Sequence, residues 1–70
     1  MNNVTSIRAK ALLTALIEGA DARTVQRAAV AHHNLTGDRE TYMVARICQG
    51  AAVPMHREAT LARIRAAIVA

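Results

Sequence analysis

Tyr42 is the one aromatic residue of the usual core-forming kind in this chain; tryptophan and phenylalanine are absent. Any core must therefore be assembled from Leu, Ile, Val and Met set over alanine spacers. Alanine has the best helix propensity. It also buries little area, so it favours short helices in close approach over a thick sheet sandwich. At 70 residues the chain has room for one domain. A domain of this length buries only about 60% of the surface that its unfolded chain exposes. Such a core rarely supplies more than roughly 3–5 kcal/mol, and small domains often add disulfides, metals or a partner subunit. Cys48 is the single cysteine, so no intramolecular disulfide can form. A homodimer is the expected remedy.

Glycine, proline and capping residues divide the sequence into four helical segments. The first is read over 5–18, with Thr5 or Ser6 as N-cap, an apolar stripe of Leu12, Leu13, Leu16 and Ile17 beside Ala9, and Gly19 closing it. The second is read over 21–33 from an Asp21 cap, with Val25, Ala28, Ala29 and His32 on one face; 34–37 reads as a loop. The third is read over 38–49 from an Asp38 cap, with Thr41, Val44, Ile47 and Cys48 inward and Gly50 as its stop. The fourth starts at Pro54 or Met55, where a missing N–H costs nothing, and runs to the C-terminus on Leu61, Ile64 and Ile68. No segment alternates with a period of two. The expected fold is all-α, a small single-domain bundle of four short helices, helix-turn-helix-like.

Several functions find no support in the residues. No glycine-rich phosphate loop, paired carboxylates or nucleophile–base spacing is present, so the chain does not read as an enzyme and implies no cofactor. His32, His33, Cys48 and His56 lack the spacing of a closed zinc site. His32 reads instead as a half-buried residue at a helix end, and Cys48 as a small core hydrophobe. No stretch approaches the ~18 uncharged apolar residues of a membrane span. The start, Met1-Asn2-Asn3-Val4-Thr5, lacks the basic and apolar regions of a signal peptide. The last helix sets Arg57, Arg63 and Arg65 against its apolar stripe but lacks the aromatics of an interfacial helix. A soluble, cytoplasmic protein without a membrane partner is expected.

Nine Lys/Arg against five Asp/Glu give a net charge of +4, and eight of the nine are arginine. Arginine forks well onto phosphates and guanine edges, although a bias of this kind also arises from base composition alone. The segment Thr41-Tyr42-Met43-Val44-Ala45-Arg46-Ile47-Cys48-Gln49-Gly50, then Val53-Pro54, then Leu61-Ala62-Arg63-Ile64, resembles the phage-repressor type (Xre- or Cro-like) of helix-turn-helix family. Val44 and Ile47 match the two apolar positions of the recognition helix, Gly50 the glycine, Val53-Pro54 the link, and Leu61, Ile64 and Ile68 the packing helix. The likeness spans 24–68, with the connection at 32–38 longer than the family's turn. It implies a small transcriptional regulator, a repressor of phage or mobile-element type, bound to double-stranded DNA as a homodimer. Arg39, Glu40, Tyr42 and Met43 would then face bases in the major groove, while Arg46, Arg23 and Arg27 reach phosphates. The same residues also fit a helical module that docks on a host protein or sequesters a transcriptional activator. A solvated helix face, or exposed pairs such as Arg27 with Asp21 or Glu40, accounts for the arginines equally well.

Overall fold

The computed structural model describes residues 4–69, and all regular structure in it is helical: α1 (Ile7–Ile17), α2 (Ala22–Thr36), α3 (Arg39–Ala51) and α4 (Pro54–Val69). Residues 1–3, and Ala70, where the sequence pattern ends the fourth helix, lie outside the described residues. Each of the first three helices begins on a side-chain cap. Ser6 accepts from the Ala9 N–H, Asp21 from the Thr24 N–H and Asp38 from the Glu40 N–H, satisfying donors that a helix start leaves orphaned.

The core is aliphatic, as the missing aromatics require. Ala9, Leu12, Leu13 and Leu16 of α1 meet Ala22, Val25 and Ala29 of α2, Val44, Ala45, Cys48 and Ala51 of α3, and Leu61 and Ile64 of α4. Ile17, Ile47 and Ile68 are only partly buried against this cluster. Thr41 is the one fully buried polar residue among those described; its hydroxyl donates to the Asp38 carbonyl at 2.8 Å, so burial leaves no orphan.

Three expectations are corrected. Positions 34–37 do not form a loop, because α2 continues through Thr36. The Thr36 hydroxyl donates to the His32 carbonyl and the Gly37 N–H to the His33 carbonyl, which closes the helix. Gly37 takes the left-handed conformation, φ 75°, so the connection to α3 is only Gly37-Asp38. Secondly, Gly50 does not stop α3, which runs one residue further. Its lack of a side chain serves packing: a Cβ there would meet the Thr60 hydroxyl oxygen at 3.2 Å, so α4 crosses close. Thirdly, Ala28 is exposed, and Ala22 takes its place on the buried face of α2.

The short link sets α2 and α3 side by side, the most extensively packed pair of helices in the fold. At one end the His33 and Tyr42 rings pack with centroids 5.2 Å apart. At the other, Ala22 and Arg23 share a surface depression with Ala51, Ala52 and Arg57. Across the same depression, Arg57 Nη1 donates to the Ala51 carbonyl at 3.2 Å and satisfies one of the carbonyls that the end of α3 leaves open.

Candidate nucleic-acid interface

The exposed face of α3 follows from its register. Thr41, Val44, Ala45, Cys48 and Ala51 are buried, so at about 100° per residue the opposite side carries Arg39, Tyr42, Met43 and Arg46. All four are exposed, Tyr42 at 51% and Met43 at 39%. Arg39, Tyr42 and Arg46 fall at i, i+3 and i+7 and form one stripe along the axis. On α2, His33 faces α3, while His32 faces α1, sharing a depression with Ser6, Ile7 and Ala11. Around α2 from the His33 side, the successive positions at about 100° per residue are Gln26, which is half-buried, and then the exposed Val30, Arg23, Asn34 and Arg27. Arg23 and Arg27, both exposed, therefore flank the α3 stripe.

The structure thus brings Arg23, Arg27, Arg39, Tyr42, Met43 and Arg46 to one broad side of the α2–α3 hairpin. It removes Glu40 from that set. Glu40 is half-buried on the other side of α3, and its carboxylate accepts from the Thr5 N–H at 2.7 Å, the Ser6 N–H at 3.1 Å and the Thr5 hydroxyl. A carboxylate so occupied by the start of the chain is not offered to a base edge. The sequence could not reveal this, since the partners lie about 35 positions away.

The electrostatics of the face depend on where the acids go. Asp21 caps α2, and the Thr24 N–H and hydroxyl hold its carboxyl below the usual value, helped by nearby Arg27 and Arg23. Asp38 caps α3 and accepts from the Ser6 hydroxyl, which is the main cause of its lowered pKa. The pKa of Glu40 is lowered chiefly by the Thr5 hydroxyl. Three of the five acids are thus engaged in tying helix starts. Among the described residues the one close pairing of opposite groups is His32 Nε2 with Asp38 Oδ2 at 3.5 Å, and no arginine has a carboxylate within 4.0 Å. The pairs of Arg27 with Asp21 or Glu40 do not form.

Arg63 joins the candidate set. It lines a cleft with Met43 and Ile47, so it stands on the α4 side of α3, across from Arg23 and Arg27. Its position off the apolar stripe was legible in the sequence, but which neighbour it faces depends on how α4 packs.

No family model, curated protein or solved structure matches this chain. Among the described residues, no helix is long and apolar enough to cross a membrane, and no group of three or more His, Cys, Asp or Glu side chains is placed to hold a metal ion.

Proposed function

We propose that this chain is a small DNA-binding transcriptional regulator, a repressor by preference, that presents α3 to the major groove and grips the backbone with the arginines beside it. The observation that carries the reading is the set of exposed arginines on the α2–α3 hairpin, none with a carboxylate partner among the described residues. A helix is about 10–12 Å across, and the major groove is about 12 Å wide. Arg39, in the first turn of α3, forks onto guanine. Tyr42 and Met43 contact a thymine methyl or a sugar. Arg46, Arg23 and Arg27 take phosphates on one flank and Arg63 on the other. A homodimer would set two such faces one helical turn apart and double the contacts.

A mobility-shift series on duplex DNA tests this. Arg39→Ala should relax sequence preference, while Arg23→Ala should weaken binding evenly across sequences. Retention of DNA by a Arg23→Ala, Arg27→Ala, Arg46→Ala triple variant at wild-type strength would sink the proposal.

A second reading rests on a different surface. Ile7 and Leu35 are 87% and 85% exposed, one near the start of α1 and one near the end of α2. Exposed aliphatic side chains that share one contiguous patch mark a site for a protein partner, such as a host factor or an activator to be sequestered. Ile7→Asp with Leu35→Asp would abolish such binding and leave DNA affinity unchanged.

A further inference from the structure

Val4, Leu13, Ile47 and Ile64 wall a cleft of about 210 Å³ between the start of the chain, α1, α3 and α4, with Met43 and Arg63 also in its lining. From this geometry we infer a binding site for a small apolar carboxylic acid, ring-sized or short-chained, whose body fills the cleft and whose carboxylate meets the Arg63 guanidinium. Three observations carry it. Apart from Thr60 and Arg63 the lining is apolar, so a hydrated ion alone gains little by entering. Arg63 is exposed and has no carboxylate partner among the described residues, and its planar fork matches a carboxylate through two parallel hydrogen bonds. The size selects the body: an apolar cavity of about 150 Å³ takes a benzene ring, whereas drug-sized ligands need about 300 Å³ or more.

Met43 is 39% exposed and Ile47 half-buried, so an occupant would cover apolar surface that the fold leaves partly open. The site shares Met43 and Arg63 with the DNA reading but is tested apart from it, because the assay uses the free protein without DNA.

Phenylacetate is the probe, with phenylacetamide as the uncharged analogue and acetate as the head group alone. Side-chain methyl NMR spectra of the full chain are followed up to about 10 mM of each compound, a range that reports a Kd near 1 mM. Phenylacetate should move the methyl signals of Met43, Ile47 and Ile64 together. Phenylacetamide, and phenylacetate on Arg63→Gln, should each bind at least about tenfold more weakly, the loss expected when a charge-assisted pair is removed. Ala67→Leu, which fills the cleft from a half-buried lining position, should abolish binding with every charge retained. Equal binding of acid and amide, unchanged binding by Arg63→Gln, or signals that acetate moves as much as phenylacetate, would each overturn the site.

Discussion

Glu40, in the first turn of α3, accepts both the backbone N–H and the hydroxyl of Thr5, so one carboxylate holds the chain segment that leads into α1. Glu40→Ala removes the acceptor for three donors, whereas Thr5→Ala removes one of those donors and leaves two backbone N–H groups in place. Glu40→Ala should therefore lower Tm more than Thr5→Ala. The double variant should match Glu40→Ala alone, because the hydroxyl has nothing left to bind. Thermal melts followed by circular dichroism measure all three.

The same carboxylates set the acid limit of stability. Asp21, Asp38 and Glu40 all have folded-state pKa values below their ordinary 3.8, 3.8 and 4.5. A depressed carboxyl stabilises the fold above its unfolded pKa, and that contribution is lost as pH falls through the folded one. Tm should be flat with respect to these groups near neutrality and should drop progressively below about pH 4.5. In Glu40→Gln the drop should be shallower, since one titrating group is gone. An identical acid profile for that variant would contradict the assignment.

On the DNA reading, salt separates the arginines. Each phosphate contact contributes a slope of about −0.9 to log K against log salt. Removing Arg23, Arg27 or Arg46 singly should reduce the slope by about 1. Arg39→Ala should leave the slope nearly unchanged and cost about 1–3 kcal/mol on the preferred sequence only. Fluorescence anisotropy at several salt concentrations gives both quantities.

Gly37 is exposed with φ 75° and open space where a Cβ would stand, so only the backbone penalises a side chain there. Gly37→Ala should cost about 1–2 kcal/mol from the left-handed conformation, and Gly37→Asn less, since asparagine tolerates it better. Urea midpoints at unchanged m-value report the difference.

Cys48 is fully buried, and burial pushes its thiol up to about 11. The thiolate is the reactive form, so labelling by a thiol reagent at neutral pH should be slow in the folded protein and rapid in denaturant. Fast labelling of the native protein would mean that α3 opens readily.

The sequence discloses those features whose chemistry is local. Asp21 and Asp38 are legible as caps because each bonds a backbone N–H two or three residues on, and the aliphatic stripes follow from helical spacing. Asn34 and Thr36 mislead because polar residues before a glycine look like a loop; only the backbone reveals that the helix continues beneath them. Gly50 misleads because glycine looks the same at a helix end and at a close approach, and its reason, Thr60, lies on another helix. The arginine face is half legible. Its residues can be listed from register, but the loss of Glu40 and the addition of Arg63 depend on tertiary neighbours.

The two-residue link between α2 and α3 also bears on how the molecule assembles. Loop-closure entropy is least for short connections, and helix pairs close in sequence form fastest. The α2–α3 hairpin combines such a link with side-by-side packing along both helices, and it carries Arg23, Arg27, Arg39 and Arg46. Four of the arginines of the charged surface are therefore brought together once this single local unit has closed, and Arg63 joins them only when α4 docks.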